Sequence, residues 1–182
     1  MRNNKGFTLV ELIVVLVMLG ILIGSAFAKY VSLQEDAEIA LAHKYSAVLQ
    51  QEVSFANIRW IMNGHSQEIN NLQGYSTDQL DINANGFPVG TNKGEPMGSP
   101  FNVGSGNKGC ADLWSYLIQD APSVAHNNDN QDYRSYRSRG VNRDRSLCTY
   151  VLRKLGDTGN RNRGKVRILY ESYTGEVSFI TQ

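Results

Sequence analysis

The sequence predicts an α+β protein in which one long N-terminal helix packs on a C-terminal antiparallel sheet. Apolar residues recur at helical spacing over roughly the first 60 positions, whereas the last third of the chain alternates apolar and polar residues as strands do. At 182 residues the chain has room for one domain of ordinary size beside such an N-terminal segment. Two independent enzyme-sized domains would not fit.

The first half of the predicted helix is hydrophobic on all sides. Residues 7–28 contain Glu11 as their only ionisable side chain and lie between Lys5 and Lys29. A helix of this length spans about 33 Å, which is enough to cross the hydrocarbon core of a bilayer. Arg2 and Lys5 make the preceding segment basic, and basic segments stay in the cytoplasm. The chain after Lys29 is therefore expected outside the inner membrane.

Glu11 is the unusual residue of this segment. A carboxylate in hydrocarbon costs several kcal/mol and needs a cationic partner. An amino group created by cutting the chain after Gly6, on the same or a neighbouring subunit, would supply one. The alternative is an ordinary secretory signal cut within Ser25-Ala26-Phe27-Ala28, which leaves Glu11 unexplained.

Lys5-Gly6-Phe7-Thr8-Leu9-Val10-Glu11-Leu12-Ile13 resembles the processing and methylation motif of type IV pilins and of the pseudopilins of type II secretion. The resemblance implies that a prepilin peptidase cuts after Gly6 and methylates the new N-terminus at Phe7. It places Glu11 at the position of the family's assembly glutamate. Many family members carry a proline near the end of the apolar segment, and this chain has Ala28 and its neighbours there.

The predicted organisation has four parts. They are a leader peptide, 1–6; a transmembrane and filament-core helix, 7–28; the amphipathic half of the helix, 29–63; and a globular head, 64–182, with a disulfide-bounded loop, 110–148.

The amphipathic half ends at Asn63-Gly64 and presents two adjacent apolar rows. One row is Leu41, Tyr45, Val48, Phe55 and Met62, and the other is Ala42, Leu49, Val53, Ala56 and Trp60.

The head is predicted to begin with loop and to end with sheet. Residues 64–109 are rich in Gly, Asn, Ser and Pro, as loops with short strands or turns are. A short helix is expected over residues 111–120, ahead of Pro122. The predicted strands are 147–155, 165–171 and 176–180.

The two cysteines, Cys110 and Cys148, are expected to form a disulfide, because the predicted compartment is oxidising. Two free buried thiols are the alternative. The bond resembles the one that closes the C-terminal region of pilins, whereas major pseudopilins often hold calcium there.

Several shorter patches resemble the mannose-sensitive haemagglutinin group of pilins. They are Gly86-Phe87-Pro88-Val89-Gly90, Cys110-Ala111-Asp112-Leu113-Trp114, Cys148-Thr149-Tyr150 and Tyr173-Thr174-Gly175-Glu176-Val177.

No motif supports an enzyme, a cofactor or a metal. Gly104–Gly109 matches the spacing of a dinucleotide loop, but no βαβ unit surrounds it, so a flexible loop is expected. Asn128, Asn130 and Asp132 alternate like calcium ligands without the required glycine and glutamate. The three histidines, His43, His65 and His126, lack zinc spacing.

The formal charge of +1 is unevenly distributed. Residues 129–167 carry a net +7, against −4 before them and −2 after them. Arg134, Arg137 and Arg139 lie there beside tyrosines, as in proteins that bind nucleic-acid backbones. Contact with DNA or an anionic surface is one interpretation, and a solvated or subunit-facing loop is the other.

The resemblance implies a structural subunit, major or minor, of a type IV pilus used for adhesion or surface attachment. The alternatives are a pseudopilin of type II secretion and a DNA-uptake pilin. The expected partners are other pilin subunits, prepilin peptidase and the inner-membrane assembly platform, with a surface receptor or DNA as further candidates. The subunit is expected in the inner membrane with a periplasmic head, and then in an extracellular pilus.

Overall fold

The long helix is the first element of the computed structural model, which describes residues 6–127, 130–140 and 145–182. Helix α1 spans Leu9–Met62 without interruption. The chain divides after Glu38 into two units, and the second unit comprises Ile39–Gln182.

The second unit contains a five-stranded sheet, a two-stranded sheet and a second helix. The small sheet pairs β1 (Asp81–Ile82) with β2 (Pro88–Gly90). Helix α2 spans Gly106–Leu117. The large sheet follows chain order, and its strands are β3 (Val124–Ala125), β4 (Tyr133–Arg139), β5 (Ser146–Leu152), β6 (Val166–Glu171) and β7 (Val177–Thr181). Neighbours are antiparallel except β3 and β4, which are parallel. The chain is therefore an α+β protein, as the sequence predicts, and its architecture is consistent with the type IV pilin fold.

The sheet buries one face against the helices. Tyr150 and Ile168 are opposite each other on β5 and β6 and are fully buried. Their neighbours Val151 and Arg167 point to the outer face, because successive side chains of a strand alternate. The inner face therefore provides the core of the second unit.

The part of α1 that lies in the second unit packs into this core along one row. Ala42, Leu49, Val53, Ala56 and Trp60 are buried, as the helical spacing predicts. The other row is buried only in part. Leu41 and Phe55 are each 48% exposed and Met62 is 70% exposed, because only one row of the helix faces the core.

Gln50 fixes α1 to the β6–β7 hairpin. Its amide donates to the carbonyl oxygen of Gly175 at 3.1 Å and accepts from the backbone N–H of Val177 at 2.8 Å. A single helix side chain thus satisfies two backbone groups at the start of β7.

The short strands β1 and β2 form within 64–109, as the sequence allows. The loop and strand predictions otherwise need three corrections. Helix α2 begins at Gly106, inside the glycine-rich segment expected to be a flexible loop. The predicted strand 147–155 ends at Leu152, and a 3₁₀ turn covers Arg153–Leu155. The chain turns there because Gly156 takes a left-handed φ of 99°.

The third correction concerns the basic segment. The sequence predicts a loop there, but Tyr133–Arg139 forms β4. The strand is rich in Arg and Ser, which obscures its alternation, yet Tyr133 and Ser135 are buried on the inner face. Pairing along the whole length of β5 compensates for the polar composition.

We expect Gly175→Ala to lower the free energy of unfolding by about 2–5 kcal/mol. Gly175 has a φ of +70°, and an added Cβ would overlap the ring of Phe87. Left-handed strain costs about 1–2 kcal/mol for a residue with a Cβ, and overpacking adds about 1–3 kcal/mol.

Gly94→Ala is the matched control, because Gly94 has a φ of +75° and no atom of the described chain, its neighbours in sequence aside, lies within 4 Å of the added Cβ. This variant should lose only the free energy that the left-handed backbone strain costs, without the overpacking. Chemical denaturation of both full-length variants in mild detergent, followed by circular dichroism, measures the difference. Equal losses in the two variants would contradict the packing explanation.

Candidate functional site

The N-terminal segment presents an accessible peptide bond just ahead of a helix. Gly6, Phe7 and Thr8 adopt no regular structure, and α1 begins at Leu9. Phe7 is 84% exposed, and no atom of the described residues beyond its chain neighbours lies within 4 Å of the position that a Cβ on Gly6 would occupy. The Gly6–Phe7 bond is therefore sterically open to a peptidase. Residues 1–5 lie outside the described residues.

Glu11 and Thr8 form a reciprocal cap at the start of α1. The carboxylate of Glu11 accepts from the backbone N–H and from the hydroxyl of Thr8, both at 2.8 Å. The backbone N–H of Glu11 donates in turn to the Thr8 hydroxyl at 3.3 Å. This is a capping box, which satisfies N–H groups that have no partner inside the helix.

The capping box was missed in the sequence, although Thr8-Leu9-Val10-Glu11 has the T-x-x-E spacing that signals it. It gives Glu11 a role within its own chain. A carboxylate at a helix N-terminus is also stabilised by the helix dipole. The cap and a charge pair with an amine on another subunit are separate roles, and they require separate tests.

The apolar part of α1 is exposed along its described length. Leu9, Ile13 and Phe27, for example, are between 50% and 73% exposed. The helix is long and apolar enough to cross a membrane, with a mean hydropathy of 2.7 over its most apolar window. Such a surface requires lipid or protein around it.

The three arginines singled out in the sequence do not lie together. Arg134 is on the outer face of the sheet, where it forms a 3.7 Å ion pair with Asp157 and lies over the ring of Tyr136. Arg137 is on the inner face and donates to the carbonyl oxygen of Val103. Arg139 follows Arg137 by two positions on the same strand, where β4 is exposed. A surface made of all three is therefore not formed.

Cys110 and Cys148 are bonded to each other, and both are fully buried. The bond joins α2 to β5. The hydroxyl of Tyr150 donates to the carbonyl oxygen of Cys110 at 2.9 Å, and its ring centroid is 4.6 Å from that of Trp114. These groups anchor α2 on the sheet.

Two of the four pilin-like patches meet at this disulfide, and the other two meet near α1. The side-chain amide of Asn85 donates to the carbonyl oxygen of Tyr173 at 3.0 Å, while Gly175 lies against Phe87. All four patches therefore serve packing within the second unit.

The described residues bring together no group of three or more histidine, cysteine or acidic side chains that could hold a metal ion. Of the calcium-like triplet, Asn128 lies outside the described residues. Asp132 accepts from the backbone N–H and the hydroxyl of Ser123. His43 contacts the ring of Phe179 edge-on at 5.0 Å, so it serves packing.

Comparison with known families gives one match, to the prokaryotic N-terminal methylation motif, over residues 1–27. Neither the comparison with curated proteins nor that with solved structures gave a match. The motif supports a type IV pilin or pseudopilin family, which is structural and not enzymatic. It implies processing by prepilin peptidase and assembly with other pilin subunits. The apolar helix fits membrane anchoring before assembly.

Proposed function

We propose that this chain is a structural subunit of a type IV pilus used for adhesion or surface attachment. Prepilin peptidase cuts it after Gly6 and methylates Phe7, and the inner-membrane assembly platform then moves the subunit into the filament. The head is periplasmic before assembly and extracellular afterwards. The observation that carries the proposal is the open Gly6–Phe7 bond directly ahead of a helix with an exposed apolar surface.

The exposed apolar side chains support assembly through α1. Burial is worth roughly 1.5–3 kcal/mol for each large apolar side chain. In the membrane, lipid supplies that burial, and in a filament, neighbouring helices replace the lipid. The subunit can therefore leave the bilayer only if other subunits cover the same surface.

A second apolar surface lies on the part of α1 in the second unit. Phe55, Ile58 and Met62 recur at intervals of three and four residues and are between 48% and 70% exposed. This spacing places them on one side of the helix, away from the buried row. We assign this side to contacts with other subunits of the filament.

The disulfide favours a pilus over a secretion pseudopilus. It closes the segment between α2 and β5 covalently, where the resemblance to major pseudopilins would lead us to expect a calcium site. Among pili, the mannose-sensitive haemagglutinin type is our assignment, because the four short patches resemble that group.

Glu11→Gln tests the charge pairing on which assembly depends. Glutamine keeps an acceptor for the capping box but removes the charge. We expect the variant to be processed normally and to reduce surface filaments at least tenfold, because the amine of Phe7 in a neighbouring subunit loses its counter-charge. Electron microscopy of a deletion strain complemented with each variant measures the number of surface filaments, and an immunoblot of the same cells measures processing.

Thr8→Val is the matched control, since it removes the capping hydroxyl and keeps the carboxylate. It should retain filaments. If Thr8→Val abolished filaments and Glu11→Gln did not, Glu11 would act as a cap and not as an assembly charge.

An assay of secreted proteins in the same strains distinguishes a pilus subunit from a pseudopilin. A secretion defect in the deletion strain with normal surface filaments would favour a pseudopilin.

A further inference from the structure

We propose that the outer face of the five-stranded sheet binds the phosphate backbone of DNA through Arg134, Arg161, Arg163 and Arg167. The proposal adds a partner to the proposed filament subunit. It differs in its residues from the surface suggested by the sequence, because Arg137 and Arg139 do not take part.

The segment between the 3₁₀ turn and β6 is strongly basic. Residues 153–167 contain six Lys or Arg and one acidic residue, Asp157. Asp157 is committed to Arg134 and Arg153, at 3.7 and 4.0 Å. Among the described residues, no ion pair involves Arg161, Arg163 or Arg167. The positive charge of these three arginines is therefore not cancelled within this part of the chain.

Both ends of this segment lie against the outer face of the sheet. At one end, a Cβ on Gly159 would lie 3.8 Å from the guanidinium of Arg134. At the other end, a Cβ on Gly164 would overlap Val151 and lie 3.5 Å from the side chain of Arg167. Residues 159–164 thus cross the outer face, which explains why Val151 is fully buried although it points outward.

The crossing segment has a defined conformation. The carboxylate of Asp157 accepts from the N–H of Gly159 at 2.8 Å, and the side chain of Asn160 accepts from the N–H of Asn162 at 2.9 Å. The N–H of Arg163 also donates to the carbonyl oxygen of Asn160 at 3.1 Å. Arg161 and Arg163 are both exposed. Because they lie between Gly159 and Gly164, we infer that they are on the same side of the sheet as Arg134 and Arg167.

The spacing of these charges suits a densely charged polymer. Arg134 and Arg167 lie opposite Val151 on the two flanking strands, so their Cα atoms are about 10 Å apart, two inter-strand spacings. A DNA strand carries one phosphate per 3.4 Å of duplex axis, and about three phosphates fall within that distance. Guanidinium groups bind phosphate oxygens with paired donors, which a lysine does not.

Two donors on this face are also unused. The Nε atoms of Arg134 and Arg167 are buried and have no hydrogen-bond partner among the described residues. An unpaired buried donor destabilises the fold, so an anion that draws these guanidinium groups outward would gain from pairing them.

The test uses the purified full-length chain in detergent and a fluorescent 30-base-pair DNA duplex, titrated at several salt concentrations. Arg161→Gln with Arg163→Gln should weaken binding at least tenfold and reduce the slope of log affinity against log salt by about 2. Lys44→Gln with Lys108→Gln removes the same charge elsewhere and should change affinity less than twofold.

Three results would overturn the proposal. The first is no binding of the duplex at 50 mM salt, and the second is an equal loss of DNA affinity in the two double variants. The third is tighter binding of alginate, an acidic polysaccharide, together with failure of the duplex to displace bound alginate. Since binding by the detergent-solubilised subunit does not require filaments, failure here leaves the assembly test with Glu11→Gln unaffected.

Discussion

Gly6→Ala is expected to abolish surface filaments and to leave the full leader on the chain. The peptidase must accommodate the residue before the cut, and the added methyl group is the only change. Within the described part of the chain, alanine causes no steric clash at this position, because no atom other than those of its chain neighbours lies within 4 Å of the new Cβ. A chain that keeps its leader also lacks the amine at Phe7 that would pair with Glu11.

Gly20→Ala is the matched control for this variant. It adds the same methyl group within the apolar part of α1, where nothing in the described residues outside the local helix backbone lies within 4 Å. Alanine favours helix over glycine by about 1 kcal/mol, so processing and filaments should be retained. Immunoblotting separates leader-bearing from processed chains, and electron microscopy counts filaments. Normal filaments from Gly6→Ala would contradict the proposed processing site.

Replacing both Cys110 and Cys148 by alanine is expected to lower the free energy of unfolding by about 4 kcal/mol. The cysteines are separated by 38 positions, and the entropy of closing a loop of that length gives this figure. The free energy of unfolding of a domain is typically about 5–15 kcal/mol, so loss of the disulfide would remove a large share of the total stability. Denaturation of full-length protein in detergent measures it.

Alanine is preferred to serine in this test because both sulfur atoms are buried. A serine hydroxyl left there without a partner would add a cost unrelated to the disulfide. Reduced wild-type protein is the control, and it should lose a similar stability. If the double alanine variant lost less than about 1 kcal/mol of unfolding free energy, packing alone would be sufficient to hold α2 on β5.

The elements with strong periodicity were predictable from sequence. Helix α1 ends one residue before the predicted Asn63-Gly64 stop, and β6 and β7 lie within one residue of their predicted bounds. In each case the apolar spacing and the turn residues indicate the same structure. Local agreement of this kind makes an element recognisable without its tertiary contacts.

The elements that were missed depend on tertiary contacts. Strand β4 is polar, and it forms because β5 provides a full-length partner for its backbone. The first turn of α2 contains Gly106 and Gly109, which disfavour a helix, but β4 holds Asn107 between them: the Ser135 hydroxyl donates to its carbonyl oxygen at 2.9 Å, and the N–H of Arg137 donates to its side chain at 2.7 Å. No single-sequence pattern reports such a contact.

The candidate site was predictable in part. The order of Gly6, Phe7 and Glu11 ahead of an apolar helix was evident in the sequence, whereas the reciprocal bonds between Thr8 and Glu11 were overlooked. The basic surface required the structure, because Arg134 and Arg137 separate to opposite faces only once β4 is known to be a strand.

Mass spectrometry of the N-terminal peptide from the mature subunit tests the assembly account most directly. We predict a chain that begins at Phe7 with one methyl group on its amino nitrogen. A mature chain that still begins at Met1, or one cut near Ala28, would contradict the account, because neither places a new amine beside the carboxylate at the start of α1.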